Sequence, residues 1–196
     1  MAKKENTLRV ISAKALLSYP HLDEPQPAEN GKKPKYSCSL VFTPALLADP
    51  AEKALFDKMA KALQDAIEAK WPGKSKQMLA AETFKRGFRR DAEAKGYPEG
   101  SIFVNVRSEQ RPHCVDAQVQ RIPVENVKAT LYPGAIVRAS LTAYGYDVSG
   151  NKGVTFGLNN IQKLADGERL DNRAAPEDEF TVDLSAAPAN LEDLIS

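Results

Sequence analysis

The sequence predicts a mainly β protein, and three observations carry that reading. Segments with two-residue alternation stand on both sides of a helix-rich middle, residues 131–164 read as one long hairpin, and the chain from Ala174 onward is acidic and poor in large apolar side chains. Strands before and after a helical insertion, closed by a terminal hairpin, suggest a small Greek-key β-barrel of the OB fold. An open antiparallel sheet packed by one or two helices would leave the same marks. The expected organisation is one domain over residues 1–173, with a helical insert at about 50–95, followed by a disordered acidic tail over 174–196.

Residues 7–18 mix apolar and basic positions, with Leu8 and Val10 against Arg9, and predict the first strand. The stretch from Pro20 to Lys35 holds four prolines and a glycine, which predicts a loop ending in Lys32, Lys33 and Lys35. In the next strand, residues 35–43, Tyr36, Cys38, Leu40 and Phe42 share one face and Ser37, Ser39, Val41 and Thr43 the other. Residues 50–70 form the clearest helix. Asp49 is placed to cap it, Pro50 opens its first turn, and Leu55, Phe56, Met59, Leu63, Ala66 and Ile67 recur at three- and four-residue steps up to Trp71-Pro72-Gly73. A weaker helical run, 75–84, leads to Lys85, Arg86, Arg89 and Arg90 around Phe88, which suits either a nucleic-acid backbone with bases or a solvated helix end. Residues 101–108 predict a strand with Phe103, Asn105 and Arg107 on one face, and Arg111 follows. Residues 112–130 suggest a short strand and a turn, kept short by Pro123.

In the hairpin, Val137, Ala139, Leu141 and Ala143 fall on one side, with Arg138, Ser140, Thr142, Tyr144 and Tyr146 on the other. A turn-rich loop, Ser149 to Gly153, returns the chain into a strand carrying Val154, Phe156 and Leu158 on one face. Phenol rings and cations exposed together on a sheet suit single-stranded nucleic acid, because bases stack on rings while phosphates seek positive charge. Tyrosines that merely cover a neighbouring strand would give the same pattern.

The formal net charge of +1 hides a division. All 27 basic residues lie at or before position 173, against 20 of the 26 acidic ones, whereas the last 23 residues hold six acids and no base. The body is thus +7 and the tail −6. Cys38 and Cys114 lack CxxC or His spacing, so neither a zinc site nor a disulfide framework is expected, and a reducing cytosol fits. No apolar run reaches the length of a membrane span and the N-terminus lacks a signal peptide's apolar region, so a soluble, cytoplasmic protein with no membrane contact is expected.

Motifs for catalysis are weak. Glu68-Ala-Lys70 and Glu93-Ala-Lys95 have the Glu-x-Lys spacing of metal-dependent nucleases but fall in helical or loop sequence rather than on adjoining strands. Lys163 and Asp166-Gly167 stand one residue too far apart for a nucleotidyl-transfer Lys-x-Asp-Gly motif. Gly150, Gly153 and Gly157 form no phosphate-binding loop, and adjacent His113 and Cys114 point to opposite faces of a strand. No cofactor, metal or catalytic residue is assigned.

Four blocks in order, GKKPKYSCSLVF, SIFVNVRSEQRP, YPGAIVRASLTAYGYD and GNKGVTFGLNNIQKLADGERL, resemble the phage-encoded single-stranded DNA-binding proteins that carry an OB fold and an acidic C-terminal tail. The resemblance spans roughly residues 8–173 and extends to the tail's character. It implies a non-enzymatic protein that coats single-stranded DNA during phage replication and recombination inside the bacterial host cell. Family-like blocks include Tyr36, Arg138, Tyr144, Tyr146, Lys152 and Asn159. Phosphates are then expected along Lys32, Lys33, Lys35, Arg107, Arg111, Arg138 and Lys152, and bases on Tyr144, Tyr146 and Phe103. The tail end, Glu192, Asp193, Leu194 and Ile195, is expected to meet replication or recombination proteins; tails of similar proteins often end in an aromatic, whereas this one ends Leu194-Ile195-Ser196. Self-association stays open. So do two other classes, a metal-dependent nuclease acting on replication intermediates and a structural or adaptor phage protein.

Overall fold

The computed structural model describes residues 8–27 and 33–170. In chain order these form β1 (Arg9–Ile11), β2 (Ala15–Gln26), β3 (Lys35–Phe42), α1 (Pro44–Leu47), α2 (Pro50–Lys70), α3 (Ser75–Ala80), β4 (Ile102–Ser108), β5 (His113–Val115), α4 (Val124–Thr130), β6 (Ile136–Val148) and β7 (Asn151–Ala165). The protein is mainly β sheet with helices, as its alternation predicts. One sheet runs in the order β1-β6-β2-β3-β4-β7-β5, and β6 pairs in addition with β7. The pairings β2 with β3, β3 with β4, β4 with β7, β7 with β6 and β6 with β2 therefore return to the strand they start from.

The hairpin expected at 131–164 is the longest pairing, from Ile136↔Ala165 to Val148↔Asn151. Its connection is tighter than the five-residue loop expected. Only Ser149 and Gly150 remain unpaired, with φ of 51° and 81°, and two successive positive φ values make the turn whose twist matches that of its flanking strands.

Other expectations need correction. The first strand is divided: β1 and β2 both pair with β6, but Ser12 to Lys14 interrupt them. There the Ser12 hydroxyl accepts the Ala139 N–H at 2.9 Å, and the Lys14 N–H donates to Glu52 at 2.8 Å. The proline-rich stretch expected to be loop carries β2 on to Gln26, pairing His21↔Ser37 and Gln26↔Lys35. Register shifts place Pro20 and Pro25 between the paired positions, where a missing N–H removes no ladder bond. The α-helices of the insert end at Ala80, and a single 3-10 turn follows at Glu93–Lys95. Residues 85–89, expected at a helix end, instead bridge two strands, Lys85↔Gly153 and Arg89↔Phe103, with Gly87 at φ 82°. The turn expected before residue 130 is the short helix α4, which follows Pro123 and buries one side chain, Val127. Seven residues are too few for a 3.6-residue period to stand out.

Inward faces of β2, β3, β4, β6 and β7 supply the core through Leu17, Leu40, Phe42, Val106, Leu141 and Phe156. Against it α2, capped by Asp49 accepting the Ala51 N–H at 2.9 Å, lays Met59, Ala62, Leu63, Ala66 and Ile67. A smaller cluster lies on the other face of β3 and β4. Val41 and Phe103, cross-strand partners, pack there with Ala92 and Tyr97. This packing covers one end of that face and leaves Asn105 and Arg107 exposed and Ser37 half-buried.

Candidate nucleic-acid interface

The open end of that face becomes the floor of a cleft. Tyr144 and Tyr146, on the outward face of β6, stand on one side of it; Arg107 and Asn105 come from β4, Lys35 from the start of β3 and Lys85 from the extended segment. Together they line an open space of about 870 Å³. It continues into a second of about 480 Å³, which shares Lys85, Asn105 and Tyr146 and adds Arg86 and Arg89. On the opposite flank, Asn105 and Arg107 are shared with a third of about 270 Å³, lined also by Tyr19, His21 and Lys95. The result is one basic trough crossing the sheet.

Local sequence explains how the rings lie. Tyr146 is the cross-strand partner of Gly153, and a Cβ at Gly153 would sit 2.5 Å from the Tyr146 hydroxyl oxygen. Only glycine leaves the phenol that space. Tyr144 is 44% exposed. Burial of its remainder and the neighbouring Tyr146 push the Tyr144 phenol above its usual pKa, with Arg107 pulling the other way; burial alone raises Tyr146. Both rings therefore stay neutral at physiological pH and put no negative charge beside a phosphate.

The cations are held by weak, replaceable partners. Glu109 lies 3.7 Å from Lys33 and 3.5 Å from Lys35, Lys152 lies 3.5 Å from Asp147, and the Arg111 guanidinium stands 5.7 Å from the centre of the Tyr36 ring. Exposed ion pairs of this kind contribute little in water, so a phosphate can take the place of either carboxylate.

Of the residues singled out from sequence, the structure brings Lys35, Arg107, Tyr144 and Tyr146 to one cleft. Lys33 adjoins it through Glu109, Lys152 sits by the hairpin turn, and Tyr36 and Arg111 form a separate pair. Asn159 donates its amide to the Thr142 hydroxyl at 2.9 Å. Two expectations do not hold. Arg138 is bound by Glu52 of α2, and its side chain is three-quarters covered. Burial works against ionising that carboxyl, but the Lys14 N–H and the Arg138 guanidinium outweigh it and hold Glu52 below its usual pKa. Phe103 is 1% exposed because the segment before β4 folds over it, with Tyr97 edge-on at 5.3 Å and the Arg89 guanidinium above at 5.1 Å. Lys32 and the tail residues Glu192, Asp193, Leu194 and Ile195 lie outside the described residues.

Lys85, Asn105 and Tyr19 line the trough without having been assigned to it. A basic run around Phe88 was the signal for Lys85, and the Phe103-Asn105-Arg107 alternation was the signal for Asn105. For Tyr19, set in a proline-flanked stretch, the sequence carries none.

Among the described residues, no group of three His, Cys, Asp or Glu side chains is placed to hold a metal ion, and no helix is long and apolar enough to cross a membrane. Cys38 and Cys114 are free and buried, and burial pushes the Cys114 thiol up to about 11.

No curated protein matches the chain. Its fold is similar to that of the single-stranded DNA-binding protein from bacteriophage Enc34 in complex with ssDNA, with 21% identity, 86% of this chain and 96% of that chain covered, and a TM-score of 0.68. A second structure of the single-stranded DNA-binding protein from bacteriophage Enc34 gives 19% identity, 92% and 97% coverage, and a TM-score of 0.65. Gp2.5, a single-stranded DNA-binding protein encoded by bacteriophage T7, gives 13% identity, 89% and 99% coverage, and a TM-score of 0.57. At sequence level the family described as Enterobacter phage Enc34, ssDNA-binding protein, matches residues 8–193, and the chain belongs to that family.

Proposed function

We propose that this chain coats single-stranded DNA without sequence preference during phage DNA replication and recombination, in the cytoplasm of the bacterial host and without catalysing a reaction. The observation that carries the reading is the meeting of Tyr144 and Tyr146 with Lys35, Lys85 and Arg107 in one open cleft. Bases stack on the two rings, each contributing about 1 to 3 kcal/mol regardless of base identity. Phosphates run along the cations, displacing counterions, so affinity falls steeply with salt. Lys33, Lys152 and Arg111 extend the same field. The returning cycle of five strands supports reading the sheet as a barrel of the OB type, a fold whose sheet face binds oligonucleotides.

Charge segregation supports a role for the tail as well. Its six acids compete with DNA for the basic body and, once displaced, offer Leu194 and Ile195 to replication or recombination proteins. The test is a gel-shift titration of labelled oligonucleotides at two salt concentrations with the full chain and with residues 174–196 removed. Salt-sensitive retardation, tighter for the shortened chain at low salt, is expected. Absence of retardation ends the reading; degradation of the strands on adding magnesium would replace it with a nuclease.

A further inference from the structure

We infer that Tyr19 is a second base-stacking platform, so that one DNA strand lies across both the Tyr144 cleft and the cleft on the far side of Arg107. The inference rests on the function proposed above and adds a site to it. Tyr19 is 61% exposed, more than Tyr144 at 44%, and it lies within a strand rather than in a turn. Its φ of 44° is in the left-handed region, which a bulky side chain rarely occupies. The cause is visible in the register. Between Ser18↔Ser39 and His21↔Ser37 the strand β2 advances three residues while β3 advances two, a bulge that turns Tyr19 outward between buried Ser18 and Leu22. Tyr97 holds the bulge in place by donating its hydroxyl to the Ser18 hydroxyl at 3.1 Å.

Chemistry around the ring fits a nucleotide. Lys95, Arg107, His21 and Asn105 line the same cleft, and no carboxylate does. Asn105 and Arg107 also line the Tyr144 cleft, so the two spaces adjoin across a cation and an amide on the same face of β4. Among the described residues, the other positive-φ residues that are not glycine, Val119 and Ser149, lie outside the strands. An exposed aromatic held by a strained bulge beside cations is the kind of outlier that clusters at binding sites.

The test is fluorescence anisotropy with labelled oligothymidylates of increasing length at one low salt concentration, using the full chain. The unaltered protein should gain affinity once the oligonucleotide is long enough to span both clefts. Tyr19→Ala and Tyr19→Asn should match it on short oligonucleotides and fall behind by about tenfold on long ones, the loss expected for one stacked base. Asn tolerates the left-handed backbone, so its loss reports the missing ring. Tyr19→Phe should bind as the unaltered protein does. Equal affinities for Tyr19→Asn and the unaltered protein at every length overturn the inference, as does an equal loss in Tyr19→Phe. If the unaltered protein binds no oligonucleotide of any length, the proposed function itself fails, a result distinct from either.

Discussion

The outward face of β6 carries Arg138 near one end and Tyr144 and Tyr146 near the other, and the two ends meet different surroundings. Over Arg138, the first turn of α2 brings Glu52, which the Lys14 N–H also binds. Around Tyr144, glycines on β7 and the open end of β4 leave a cleft lined by Lys35, Lys85 and Arg107. The same contrast divides β4: Phe103 lies beneath Tyr97 and Ala92, while Asn105 and Arg107, two and four residues on along the same face, are exposed. Alternation selects a face, and what packs on that face then decides whether a side chain holds the fold together or meets a ligand.

Removing one side of the covered end should have the largest effect. Glu52→Gln leaves Arg138 without its carboxylate in a mostly buried place and should cost about 3 kcal/mol of stability at neutral pH, read by chemical denaturation. Because the folded Glu52 pKa is lowered, its contribution is present above the usual carboxylate range and is lost as pH falls through the depressed value. The two stability curves should therefore converge in acid. A gap that stays constant into that range would show that the ion pair is not its source.

At the open end the effect should be on binding instead. Tyr144→Ala should weaken single-stranded DNA binding by about 1 to 3 kcal/mol with the salt slope unchanged. Arg107→Ala should lower that slope by about 1, whereas Arg138→Ala should lower stability and leave the slope alone. A reduced slope for Arg138→Ala, measured on folded protein, would erase the distinction between the two ends.

The smallest change concerns Glu109, the acid between Lys33 and Lys35. Glu109→Gln should tighten binding at low salt by less than about 1 kcal/mol, and the gain should vanish as salt rises. Weaker binding would mean that Glu109 orders the lysines rather than competing with phosphate.

Much of this was legible in the residues. The strands of β3, β4, β6 and β7 show in their alternation, and α2 in its cap and stripe, because each buries one side of a regular period. The cleft's two tyrosines and Arg107 follow from the same reading. What escaped depends on neighbours distant in sequence. Strand β2 continues past Pro20 because a bulge sets that residue outside the ladder, and residues 85–89 are extended because Gly153 and Phe103 offer them partners. Neither partner is local.

By itself, the sequence determined which residues share a face along β3, β4, β6 and β7, where the long hairpin lies, and that positive charge belongs to the body and negative charge to the tail. These follow from side-chain period and composition, which need no knowledge of what lies opposite. Only the tertiary structure decided that Arg138 is tied to Glu52, that Phe103 is covered, and that Lys85 and Tyr19 join the trough. Exposure is a property of the space between elements, and that space exists only once helix, segment and sheet have packed.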